Sequence, residues 1–200
     1  MIKQASFYAV LVTLALVGSA TAQQRNPRAS MPPEFTWSED EPIIMDRIVA
    51  DTTNLKNGEL PSQDALTSIV TWVSNALDLP AIYDLPRIER APEIKLTAVL
   101  HGSPLASQRG VLSMYDDAKH TIYVQDDWSG HTPEGLSILI HEMVHHLQNI
   151  AELKYECPQY REKLAYVAQE RWLNSSGRSL EKDFGIDPLT YLLSTECYIP

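Results

Sequence analysis

The sequence is short of positive charge. It has 16 Lys and Arg against 26 Asp and Glu, for a formal net charge of −10 over 200 residues. No Lys/Arg cluster offsets this excess. Nucleic acid and anionic membrane surfaces are therefore not expected partners, because both repel such a chain. Cysteine is scarce as well, with two residues in all. That excludes a disulfide-dense scaffold and a cysteine-rich structural zinc site. Beyond residue 22 no apolar run approaches the ~20 residues that a membrane-spanning helix needs. With 8 Gly, 13 Pro and no internal repeat, collagen-like and low-complexity classes drop out. A chain that is 44% apolar remains, long enough for one globular core and hardly for two.

The first residues read as an address. Lys3 gives a small positive start, and Phe7 to Val17 (FYAVLVTLALV) is apolar but for Thr13. Ala20-Thr21-Ala22 then fits the small-x-small cleavage rule of a secretory signal peptide. The expected layout is a signal peptide over 1–22, a polar, Pro-rich leader over 23–40 and one domain over 41–200. The expected location is secreted or periplasmic, with no membrane contact after cleavage. In an oxidising compartment Cys157 and Cys197 have only each other, which predicts a disulfide between them.

Local signals place the elements. Ile43, Ile44, Ile48 and Val49 suggest a helix over 41–55. Ser62 is a candidate N-cap for a second, with Leu66, Ile69, Val70, Val73 and Leu77 at helical spacing. Three prolines break up the extended stretch from Pro80 to Pro92. IKLTAVL (94–100) reads as a strand, and 110–115 with 120–125 as a hairpin around Asp116-Asp117-Ala118-Lys119. Thr132-Pro133-Glu134 opens a helix with an N-cap hydroxyl, a first-turn proline and an acid at the positive dipole end. That helix is apolar all round to Ile150, as expected of a central, buried element. Pro158 opens another, with Leu164, Val167, Ala168 and Trp172 on its apolar side and an end near Gly177.

Inside the central helix lies His141-Glu142-Met143-Val144-His145. Residues four apart share a helix face, so both imidazoles project together and can bind one Zn²⁺. Glu142 is turned about 100° away, beside the ion rather than on it. From there it can take a proton from a zinc-activated water. His146 points elsewhere and reads as a satisfied or surface histidine.

This HExxH helix resembles the active-site helix of the zincin metallopeptidases. The metzincin continuation is missing, because Gln148 and Ala151 stand where its Gly and third His belong. No cysteine precedes His141 to supply the thiolate of a peptide deformylase. Glu162-Lys163-Leu164-Ala165-Tyr166 resembles the ligand helix of gluzincins. The resemblance implies an α+β, zincin-like minimal metallopeptidase with a small antiparallel or mixed sheet, a central HExxH helix and a following ligand-bearing helix. It implies one Zn²⁺ held by His141, His145 and Glu162, with Glu142 as general base and a peptide or protein substrate. Glu170 and Glu156 are rival third ligands. Tyr166 is a candidate oxyanion stabiliser beside His131 and Tyr155. Thr121–Gln125 is the candidate edge strand for an extended peptide, and Asp126, Asp127 and Trp128 are candidate cleft residues. From a different class, a non-catalytic secreted zinc-binding or interaction protein accommodates the same ligands.

Overall fold

The computed structural model describes residues 39–56, 58–101 and 111–197, with the side chains of 98–101 left aside. The expected signal peptide and nearly all of the leader lie outside these residues. Among them the chain is α+β, with seven helices and one mixed three-stranded sheet.

Helix α1 spans Glu41–Thr53, and α2 spans Gln63–Leu77. In α1 the buried stripe is Glu41, Met45, Ile48 and Thr52. Ile43 and Val49, expected on the apolar face, are 63% and 46% exposed. Glu41 is buried because Arg171 grips both of its carboxylate oxygens, each at 2.9 Å. Ser62 caps α2 as expected, accepting from the Ala65 N–H at 3.1 Å.

Strand β1 (Arg87–Ala91) falls in the stretch expected only to be extended. IKLTAVL is not a strand. It lies within α3, Glu93–His101. Pro92 and Glu93 open that helix, with Lys95 and Leu96 N–H both bonding to the Pro92 carbonyl. A proline followed by an acid is a helix start, and here it outweighs the β-branched content of the run.

The hairpin forms as β2 (Ser113–Asp116) and β3 (Thr121–Gln125), paired antiparallel. β1 adds to β3 in parallel, giving the order β1-β3-β2. The expected edge strand is thereby corrected. Thr121–Gln125 is central and nearly all buried, and β2 is the edge beside the central helix.

That helix, α4, runs Pro133–Ile150 with Thr132 accepting from the Gly135 N–H. Gly135 is required there. A Cβ at this position would sit 1.7 Å from the Ser129 carbonyl oxygen. Leu139, Ile140, Met143, Val144 and Leu147 are fully buried, and α4 packs on α2, α5 and the sheet. Helix α5 spans Pro158–Ser175. Two short helices that the sequence reading omits follow it, α6 (Leu180–Phe184) and α7 (Pro188–Thr195).

The Cys157–Cys197 disulfide is present, with the two Cα atoms 5.9 Å apart. It ties the start of α5 to the end of α7, alongside a 2.7 Å Lys163–Glu196 ion pair. His146 is fully buried and satisfied, 2.6 Å from the Asp84 carbonyl oxygen and 3.0 Å from the Tyr115 hydroxyl.

Candidate metal centre

Strand and helix spacings bring the site together. On α4, His141 and His145 lie one turn apart, with rings 4.9 Å between centroids. Glu162, Tyr166 and Gln169 follow one face of α5 at i, i+4 and i+7, and that face meets the histidines. Ala165 and Ala168, both fully buried, keep the contact small enough for the helices to close. Arg161 fixes the start of α5 by donating to the His145 carbonyl at 3.1 Å and to both Asp117 carboxylate oxygens, at 2.7 and 2.5 Å.

Three ligand atoms converge. His141 Nε2 is 3.2 Å from His145 Nε2 and 3.2 Å from Glu162 Oε2, and His145 Nε2 is 3.4 Å from the same oxygen. Donors around a tetrahedral zinc at 2.0–2.1 Å stand about 3.3 Å apart, so the triangle has the size a zinc ion needs.

The surrounding hydrogen bonds fix the tautomers. Gln148 donates its amide N–H to the Arg161 carbonyl at 3.0 Å, which turns Oε1 toward His145 Nδ1, also at 3.0 Å. Gln169 donates to the Ser137 hydroxyl oxygen at 3.3 Å, whose own proton goes to the Glu134 carbonyl. Its Oε1 therefore faces His141 Nδ1 at 3.0 Å. Both Nδ1 atoms must donate, so both neutral imidazoles aim bare Nε2 lone pairs at each other and at a carboxylate oxygen. Three acceptors this close repel unless a proton or a metal ion lies between them.

The local field has the same sign. Burial opposes charge on Glu162, but when a proton rather than a metal sits at Nε2 of the two imidazoles, their hydrogen bonds outweigh it and hold its carboxyl well below the ordinary range. Burial also opposes protonation of His145, yet the hydrogen bond and charge of Glu162, with the charge of Glu142, raise its affinity for a proton. A site that draws a proton this way also draws a divalent ion. The residues present therefore fit a zinc ion.

Glu142 is almost fully buried and is not one of the three donors. Its Oε1 accepts from the Ser113 hydroxyl on β2 at 2.6 Å. Tyr166 sets its ring 4.8 Å from that of His141. Burial first, then the charges of Glu162 and Glu142, push its phenol up to about 12, with a Ser194 hydrogen bond opposing. These groups line a cleft of about 560 Å³ between β2, α4 and α5, with Ile138, Phe184 and Ile186 also on its wall.

Other candidates lie elsewhere. Glu170 accepts from the Leu180 N–H at 2.7 Å and so caps α6, and Glu156 is exposed. His131 bonds to Ser129, and Tyr155 lines a separate, smaller cavity beyond the Arg161–Asp117 pair. Asp126, Asp127 and Trp128 do not line the cleft. Trp128 is buried, donating to the Gly135 carbonyl at 2.9 Å. Three contributors were missed in the sequence, namely Ser113, Gln148 and Gln169. Gln148 was legible in principle, three residues after His145 on the same helix. Ser113 and Gln169 reach the site only through tertiary packing.

Replacing Gln148 or Gln169 with Ala should weaken zinc binding by about 10–100-fold, since outer partners orient and strengthen ligating imidazoles. Competition with a chromophoric chelator reads this directly, and unchanged affinity in both variants would disprove the orienting role.

Fold and site together define an α+β protein with a His-His-Glu cluster of metal-binding geometry on two packed helices. The chain belongs to the DUF6647 family, described as a domain of unknown function, which matches residues 59–199. That span contains every residue of the cluster. No curated protein and no solved structure matches the chain.

Proposed function

We propose that this protein is an exported zinc-dependent metallopeptidase of zincin-like, gluzincin type, hydrolysing peptide bonds with Glu142 as general base. The carrying observation is the triangle of His141, His145 and Glu162 lone pairs beside a carboxylate that is left out of it.

A zinc ion held by His141, His145 and Glu162 supplies a Lewis acid that polarises a carbonyl and lowers the pKa of water. Glu142 takes the proton from the attacking water and hands it to the leaving amine, which a carboxylate at this place can do twice in one cycle. The outward backbone of β2 pairs with an extended peptide and lays the scissile bond along the cleft. Tyr166 is a neutral phenol in the same lining. It serves as donor to the developing oxyanion if its hydroxyl exchanges Ser194 for substrate.

Metal analysis and a hydrolysis assay on a mixed peptide pool test this on one preparation of the full chain. The expected result is one zinc per chain. Hydrolysis should stop after chelation and return with added zinc. A preparation that binds no zinc overturns the proposal. Full zinc occupancy without hydrolysis of any peptide favours the non-catalytic zinc-binding alternative.

A further inference from the structure

The edge strand and the central helix run side by side with matched spacings. Residues two apart on a strand are separated by about 6.7 Å, and residues four apart on a helix by about 6 Å. Ser113 and Tyr115 accordingly meet Glu142 and His146 in step, at 2.6 and 3.0 Å. Met114 points to the opposite face and is buried with Leu96 and Tyr123.

The backbone of Ser113 has a second orientation to satisfy. Gln125 N–H bonds to the Leu112 carbonyl at 3.1 Å, and Ser113 stands opposite Val124. In an antiparallel ladder this turns the main-chain groups of Leu112 and Met114 toward β3 and those of Ser113 outward. Ser113 thus offers its backbone to whatever pairs with the edge strand, while its side chain holds a carboxylate oxygen of Glu142.

We infer that Ser113 is the positioning residue for Glu142. Its hydroxyl fixes Oε1 and leaves Oε2 as the oxygen free to take a proton. The inference rests on the peptidase reading of the site. Its geometry stands apart from the metal ligands, because neither Ser113 nor Glu142 belongs to the triangle. A hydroxyl-to-carboxylate hydrogen bond is strong enough to change the function of its acceptor tenfold or more.

The test uses the full chain loaded with cobalt(II), whose visible spectrum reports both metal uptake and ligand binding. The probe is acetohydroxamate, which chelates a metal through two oxygens and releases its hydroxyl proton to a neighbouring base. Ser113→Ala should keep cobalt affinity within about twofold and lose acetohydroxamate affinity by about tenfold. Ser113→Thr, which restores the hydroxyl, should recover most of it. In the peptide assay kcat should fall with KM unchanged.

If Ser113→Ala binds the probe as tightly as wild type while Glu142→Gln binds it weakly, the Ser113 role is overturned and the base assignment stands. If neither substitution matters, or the wild type takes up no cobalt, the peptidase reading falls with it. Loss of cobalt from both Ser113 variants would show a purely structural role and also overturn the inference.

Discussion

Glu142→Gln is expected to lower peptide hydrolysis by about 10²–10⁴-fold, the range typical of a removed general base, with zinc retained. The substitution conserves shape and keeps an oxygen for the Ser113 hydroxyl, so the edge strand stays docked on α4. Glu142 is not among the three converging donors, so metal affinity should hold. What is lost is the negative charge that accepts a proton. Turnover and zinc content measured on the same sample decide the matter. Unchanged turnover would remove Glu142 from the chemistry, and zinc lost together with activity would make it a ligand.

The second large effect separates two glutamates on one helix. Glu162→Gln should weaken zinc binding by more than the 10–100-fold expected for an outer partner, because it takes a charged donor from the triangle. Glu170→Gln should leave zinc affinity unchanged. It weakens only the cap on the Leu180 N–H, at a cost of about 1 kcal/mol or less, since the amide oxygen still accepts. Chelator competition and thermal melting of the two variants read both quantities. The reverse ranking in zinc affinity would overturn the ligand assignment.

Between these two residues the sequence is almost silent. Rise per residue along α5 allows either one to reach a metal on α4. The phase of the helix decides it. Glu162 shares its face with Tyr166 and Gln169, and that face meets His141. Glu170 is turned toward α6. The resemblance of Glu162 to Tyr166 to a ligand helix pointed to the glutamate that joins the cluster, because Ala165 is the small residue at the helix contact, where it is fully buried.

The errors have equally physical origins. IKLTAVL carries strand-like residues, but Pro92 and Glu93 begin a helix just ahead of it. RIERA carries three charges in five residues and gives no strand pattern, yet it forms β1. It pairs with β3 on one side only, and Arg90 spends its charge on the Asp126 and Trp128 carbonyls, at 2.7 and 3.0 Å. Asp187-Pro188, where the Asp187 side chain caps α7, is the same cap-and-proline signal as Thr132-Pro133, followed by a helix of only eight residues.

The sequence by itself determined the features that short-range spacing controls. These are the caps at Ser62 and Thr132, the imidazole pair one turn apart, the hairpin, and the single possible cysteine pairing. Only the tertiary structure decided that Ser113–Asp116 is the edge, which glutamate completes the triangle, and which amides turn the histidines. Each of those depends on separate elements being packed against one another, with partners 13 positions apart for Gln148 and Arg161 and 17 or more for the others. Pairing of that range is set by how whole faces fit, with β1 taking the far side of β3 and α5 closing on α4. No local pattern of side chains encodes it.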